Sequence, residues 1–189
     1  SIGHNFIHGI ICDKEGKIWV LHVLGLSLFN IDNQSFTNFT IREHYPHFSR
    51  GFSSFAEDFE GNIWIGNQNG LAIFNTLERR YLTPGQLNKF LFRSDNGLAG
   101  TGINGITKGE KGRIWFNTYN RIFTRDPTQK QTLEISHLPV PGLNSSLAIN
   151  YVDTINGILY FGTFNKGLLL FYYRTQQWEQ HRTGPELLS

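Results

Sequence analysis

The stretch Glu57-Asp58-Phe59-Glu60-Gly61-Asn62-Ile63-Trp64-Ile65-Gly66, followed by Gly70-Leu71-Ala72-Ile73-Phe74, holds the pattern from which the whole 189-residue chain is built. Ile63 to Ile65 and Leu71 to Phe74 are short apolar runs bounded by Asp, Gly and Asn, the length and composition of strands and not of helices. Glu60-Gly61-Asn62 supplies the tight turn before the first run, because glycine reaches positive φ without a steric penalty. An apolar stretch from Phe52 to Ala56 precedes this unit and Tyr81 follows it, which makes four strands per unit.

The unit recurs. Gly16-Lys17-Ile18-Trp19, Gly61-Asn62-Ile63-Trp64 and Gly112-Arg113-Ile114-Trp115 are followed by a degenerate Gly157-Ile158-Leu159-Tyr160, with successive glycines 45, 51 and 45 positions apart. The second anchor returns as Gly25 to Phe29, Gly70 to Phe74, Asn120 to Phe123 and Gly167 to Phe171, and only the third copy lacks its glycine. Four antiparallel strands repeated every ~40–45 residues predict a β-propeller, since helical solenoids of that period need amphipathic helices. No helix-period stretch competes. The fold expected is therefore all-β, with four tandem four-stranded blades spanning about 5–40, 50–83, 101–134 and 146–180 within a single segment, 1–189.

Strands such as Ile63-Trp64-Ile65 and Leu168-Leu169-Leu170-Phe171 are apolar on both faces, as blades covered from both sides require. The Gly16/Trp19, Gly61/Trp64, Gly112/Trp115 and Gly157/Tyr160 pairs, placed alike in every copy, are read as packing residues, not as a sugar-stacking set. A ring of four blades lies within the usual ~4–8. An open arc would expose apolar faces at both ends, so either further blades of the same propeller or a dimer partner is expected to cover them. The sequence contains no methionine, which favours a fragment or a processed chain.

Charge and composition narrow the function classes. Seventeen basic and fifteen acidic residues are dispersed along the chain, which argues against nucleic acid as a partner. The single Cys12 permits no internal disulfide or cysteine-based metal cluster, and its apolar neighbours Ile10 and Ile11 suggest a small buried hydrophobe. No apolar segment reaches the ~20 residues of a membrane helix. Asp13 and Asp58 recur at one blade position and are read as turn acceptors, not as catalytic carboxylates. No nucleophile elbow, Ser/His/Asp set or ligand cluster rises above chance, so neither catalysis nor a cofactor or metal is expected.

The residues Glu57 to Gly66 with Gly70 to Phe74, and Asp13-Lys14-Glu15-Gly16-Lys17-Ile18-Trp19-Val20, resemble the two-component regulator propeller repeat, whose form is Asp-x-x-Gly-x-(Ile/Leu)-Trp-(Ile/Val)-Gly-Thr, then Gly-Leu and an aromatic. The third copy departs from it with Lys108-Gly109-Glu110 in place of the aspartate, and the fourth with Tyr160 in place of Trp. The resemblance implies the periplasmic sensor domain of a Bacteroidetes hybrid two-component histidine kinase. In such proteins two seven-bladed propellers precede a β-sandwich, a membrane helix and the kinase. Carbohydrate sensing, with signal transduction by binding an oligosaccharide, is then the expected function, and this segment would be an arc of a seven-bladed propeller attached to the membrane only through a downstream helix. The alternatives are a propeller enzyme such as a polysaccharide lyase, or a protein-interaction propeller.

Ligand contacts are expected on the loops that do not repeat. These join the second strand of a blade to the third, or one blade to the next. The loop from Arg42 to Arg50 offers Arg42, His44, Tyr45, His47 and Arg50, a composition suited to stacking on a sugar ring and pairing with a carboxylate or sulfate. Asn67, Gln68, Asn69, Arg93, Tyr119, Asn165 and Lys166 complete the candidate set.

Overall fold

Sixteen strands group into four antiparallel meanders in a computed structural model that describes residues 1–46, 48, 51–91, 101–137, 147–163 and 166–182. The first blade comprises β1 (Ile7–Cys12), β2 (Ile18–His22), β3 (Gly25–Asn30) and β4 (Ser35–Thr40). The second comprises β5 (Phe52–Glu57), β6 (Ile63–Asn67), β7 (Gly70–Asn75) and β8 (Arg80–Tyr81). In the third are β9 (Gly105–Lys108), β10 (Ile114–Asn117), β11 (Arg121–Asp126) and β12 (Gln131–His137), and in the fourth β13 (Ala148–Asp153), β14 (Ile158–Gly162), β15 (Leu168–Tyr172) and β16 (Gln177–His181). These are β-propeller blades.

The repeat owes its shape to one turn. Gly16, Gly61, Gly112 and Gly157 all adopt positive φ, between 75° and 87°. In the first two blades an aspartate closes that turn. Asp58 Oδ1 accepts from the backbone N–H groups of Glu60 and Asn62, both at 2.9 Å, while Oδ2 accepts from the Trp64 indole at 2.8 Å. Asp13 does the same for Glu15, Lys17 and Trp19. One carboxylate thus sets the hairpin and aims the buried tryptophan. The third blade has Gly109 at this position, and a single 3-10 turn at Glu110–Gly112 replaces the aspartate-closed one.

Because successive side chains in a strand point to opposite faces, Trp64 lies on one face of its blade while Ile63 and Ile65 lie on the other. The consequence is three apolar cores, each between neighbouring blades. Trp19, Leu21 and Leu26 pack with Ile63, Ile65 and Phe74. Trp64 and Ile73 pack with Ile106, Ile114 and Phe116, and Trp115 and Ile122 pack with Leu159, Phe161 and Phe171. β6 is buried along its whole length, as its two-sided apolar sequence predicts. None of the three cores joins the first blade to the fourth.

Two sequence expectations need correction. The first concerns the segment after Tyr81, expected as a loop joining one blade to the next in a chain without helices, which contains α1 (Pro84–Leu91). Its signals were present: Thr83 and Gln86 form a reciprocal capping box, Thr83 N donating to Gln86 Oε1 at 3.0 Å and Gln86 N to Thr83 Oγ1 at 3.4 Å, with Pro84 opening the helix. Leu87 and Leu91 are buried in the core between the second and third blades, and Phe90 packs beside Trp64 with ring centroids 6.0 Å apart. The second concerns Cys12, which is exposed on the face of the first blade opposite Trp19.

Polar contacts fasten the second blade to its neighbours. Glu57, buried in β5, accepts from Lys14 N and from Lys108 Nζ, both at 3.0 Å. Arg125, in the position of Phe74 and Phe171, lies 3.9 Å from the Phe90 ring centroid and donates to the Phe90 and Lys130 carbonyls at 2.8 and 2.9 Å. Burial pulls its pKa below the ordinary value, and the Glu60 and Asp58 carboxylates oppose that shift.

Asp58→Ala leaves the Trp64 indole and two turn amides without their acceptor and is expected to destabilise the chain by about 2–3 kcal/mol in urea unfolding. Adding Trp64→Phe should cost less in that background than in the parent chain. Strict additivity in the double-mutant cycle would show that the carboxylate and the indole act independently.

Candidate functional site

The turn between the second and third strands of every blade is pinned by the side chain three residues after the Trp-class position. His22 Nδ1 accepts from Leu24 N at 3.2 Å, and Asn67 Oδ1 from Asn69 N at 2.8 Å. Thr118 Oγ1 accepts from Arg121 N at 3.1 Å, and Thr163 Oγ1 from Lys166 N at 2.8 Å. A side-chain acceptor in this geometry replaces a backbone turn bond. Asn67 is fully buried, and its role is to hold the turn that presents Gln68 and Asn69, both exposed. Tyr119 projects from the equivalent turn of the third blade, 58% exposed, and Lys166 sits half-buried on that of the fourth, where its carbonyl accepts from Gln180 Nε2 at 2.7 Å. These candidates occupy separate turns of three successive blades. His47, Arg50, Arg93 and Asn165 lie outside the described residues.

The crossing from the first blade to the second brings other groups together. Ile41 N donates to Leu24 O at 2.9 Å, and a tight turn follows in which His44 N and Tyr45 N both donate to Ile41 O. Tyr45 packs against two of the apolar cores and donates its hydroxyl to Leu82 O at 2.7 Å; burial pushes its pKa up to about 12. Its side chain is therefore a brace within the fold. Arg42 stays exposed, and His44 turns toward the Tyr81 ring, 6.3 Å between centroids.

His44 thereby borders a groove of 260 Å³ between β4 and β8, walled by Asn38, Thr40, Glu43, Arg79 and Arg80 and floored by Phe39, Phe74 and Tyr81. Glu43 accepts from Thr40 Oγ1 at 2.6 Å, and Arg80 donates to Gln86 Oε1 at 3.0 Å while pairing with Glu78. Tyr81 donates to Phe39 O at 3.2 Å, tying the two outer strands across the floor. Arg79 is also part of a larger cavity of 380 Å³, lined with Lys17, Asn30 and Asp32 over Ile18, Leu28 and Phe29. That cavity opens at the other end of the blades, among the β1–β2 and β3–β4 turns. Sequence reasoning passed over Arg79, because it belongs to a turn that looks purely structural. The structure shows the matching residue of all four such turns, Gln34, Arg79, Lys130 and Gln176, at positive φ. Only the choice of side chain at this backbone position differs from blade to blade.

A buried Ser–His contact was also missed. His22 Nε2 lies 2.8 Å from Ser27 Oγ. The Leu24 amide occupies Nδ1, so the proton sits on Nε2 and points at the hydroxyl, which itself donates to Asn38 Oδ1 at 2.6 Å. A nucleophile and base need the opposite polarity, with the hydroxyl donating to the imidazole. The trio instead holds the N-terminal segment, since Gly3 N donates to Ser27 Oγ at 3.3 Å and Asn38 Nδ2 to Ser1 O at 3.2 Å. Among the described residues no group of three or more His, Cys, Asp or Glu is placed to hold a metal ion, and no helix is long and apolar enough to cross a membrane.

With this geometry in view, the likeness to solved propellers extends along the whole chain. No protein-family model and no curated protein sequence matches it. The extracellular domain of a B. thetaiotaomicron protein described as a hybrid two component system superposes with a TM-score of 0.54 at 15% identity, over 98% of this chain and 31% of that one. An auxiliary nutrient binding protein from Bacteroides thetaiotaomicron gives a TM-score of 0.59 at 15% identity, over 94% of this chain and 41% of that one. The WD40 repeats of RRP9 give 0.64 at 9% identity, over 95% and 52%. The chain therefore spans about a third of the length of the hybrid-system domain that it matches. At these identities the likeness establishes the propeller fold.

Burial, and then the charges of His4 and His8, hold the His22 pKa below its ordinary 6.5. The unfolded chain takes up this proton first as the pH falls, so the contribution to stability is complete above about 6.5 and is lost progressively below it. Thermal unfolding at pH 7.5 and 5.5 is expected to show a lower Tm at the acid value, and His22→Asn should reduce that difference. An unchanged pH slope in the variant would remove His22 as its source.

Proposed function

We propose that this chain is a ligand-sensing propeller segment of an extracytoplasmic sensor of the hybrid two-component type, and that it binds an oligosaccharide carrying a carboxylate or sulfate. The observation that carries the reading is the groove at the boundary of the first and second blades, where His44, Arg79 and Arg80 gather beside the half-buried Phe39, the other two rings of its floor being sealed in the core. Arginine pairs with carboxylate and sulfate through a planar fork of donors, and aromatic and imidazole rings offer flat apolar contact to a sugar ring. Fold-level likeness to the extracellular domain of a hybrid two component system supports the cellular setting by analogy. Signalling would then follow from binding alone: a ligand that prefers one arrangement of the blades shifts the population toward it in proportion to its differential affinity.

Calorimetric titration with uronate-bearing or sulfated oligosaccharides and their neutral counterparts, followed by product analysis, tests this. The charged sugars are expected to bind more tightly, with affinity falling as salt rises, and Arg79→Ala should weaken them about tenfold or more. Equal affinity for neutral sugars would sink the anionic assignment, and cleavage of a glycosidic bond would replace sensing by catalysis.

A further inference from the structure

Each blade ends its sheet on the outer side of the arc. The first strands of the second, third and fourth blades lie against one another, β5 on β9 and β9 on β13, so β4, β8, β12 and β16 form the rim. Neighbouring blades stack on the flat faces and leave the rim edges as they are, whatever the number of blades. Such an edge offers unpaired amides and carbonyls to any strand that meets it, and proteins ordinarily blunt it with charge, brevity or a bulge. Three of these edges are blunted in that way. β8 has two residues, β12 carries Glu134 and breaks register opposite Ile122 and Phe123, and β16 carries Glu179 and His181. The fourth, β4, is different: Ser35-Phe36-Thr37-Asn38-Phe39-Thr40 has no charge, no proline and an unbroken register on β3.

Which backbone groups face outward follows from the bond that continues this hairpin. Ile41 N donates to Leu24 O at 2.9 Å. Bonded and non-bonded pairs alternate along an antiparallel ladder, so Phe39, Thr37 and Ser35 bond to β3. Phe36, Asn38 and Thr40 therefore turn their N–H and C=O to the open edge, and no strand among the described residues pairs with them there.

We propose that the β4 edges of two copies of this chain pair antiparallel about a two-fold axis at Asn38, joining their first blades rim to rim in one continuous sheet. A second copy is the fitting occupant because the two-fold matches the strand with itself. Phe36 of one copy meets Thr40 of the other and Asn38 meets Asn38, so each outward amide and carbonyl gains the partner it lacks. Charge supports the same choice. Arg42 is exposed just beyond one end of β4 and Asp32 is exposed just before the other. The antiparallel arrangement sets Arg42 of each copy beside Asp32 of the other, so one attraction is made twice. Asn38, Phe39 and Thr40 also line the groove at the first boundary, and pairing places the two grooves on either side of one junction. The inference rests on the strand edge and is independent of the ligand reading.

Sedimentation equilibrium of the chain is expected to show a species of twice the 21.7 kDa chain mass that grows with concentration. Amide exchange at Phe36, Asn38 and Thr40 should slow as that species forms. Thr40→Pro removes an outward N–H that β3 does not use, a change that edge strands tolerate. Circular dichroism should therefore report unchanged strand content, while the dissociation constant rises about tenfold or more as each copy loses a hydrogen bond. Arg42→Asp and Asp32→Arg should each weaken the pair by about threefold, and the double variant should recover the parent affinity. A chain that stays monomeric at every concentration would overturn the proposal. So would a pair that Thr40→Pro leaves intact, since it then forms through another surface, or charge variants that the double variant does not rescue. Sugar titration at concentrations where the chain is monomeric reads the groove separately, which keeps the two conclusions distinguishable.

Discussion

A carboxylate shared between a turn and an indole is the contact on which this architecture depends. Asp58 satisfies two backbone amides that no strand partner reaches, and with its second oxygen it accepts the one polar hydrogen of a side chain that must be buried. Either part would be expensive alone, since a buried donor without an acceptor costs about 1–3 kcal/mol. Together they fix the direction of Trp64, and that direction decides which face of the blade receives its neighbour. The stacking of blades is therefore specified locally, within a dozen residues. This is why a chain with little long-range contact beyond adjacent units can still hold one shape.

The sequence made the blades legible because that local device repeats. Gly-x-Ile-Trp marks turn, strand and interface at once, and even the degenerate copy at Gly157 keeps the positive φ that its glycine implies. The helix Pro84–Leu91 was legible too, in Thr83, Pro84 and Gln86, but one eight-residue helix among sixteen strands does not announce itself through periodicity. Cys12 misled for a different reason. Its neighbours in sequence are apolar, yet its exposure is decided by the face of the blade on which the strand register places it, opposite Trp19.

The groove was legible only in part. His44 stands out because its loop has no counterpart elsewhere in the chain, and the structure does bring it to a concave surface. Tyr45, one residue on, was indistinguishable from it by composition, yet its hydroxyl reaches Leu82 across the blade boundary. Arg79 was hidden by the reverse circumstance. Its turn repeats in all four blades, and what repeats is the backbone, not the side chain. In a repeat protein, individuality enters through positions whose conformation is fixed and whose chemistry is free.

The Ser27–Asn38–His22 trio has a consequence of this kind for the outer face of the first blade. In the other blades the position of Ser27 holds Ala72, Phe123 and Leu169, all apolar and all buried against a neighbour. A uniformly greasy sheet face tolerates sliding, because one arrangement of aliphatic contacts is nearly as good as the next. A hydrogen-bonded island within such a face does not, since any displacement that strips its partners leaves polar atoms dry. The island therefore fixes how the segment from Ser1 to Gly3 lies along that face, since only one placement keeps Ser27 and Asn38 satisfied.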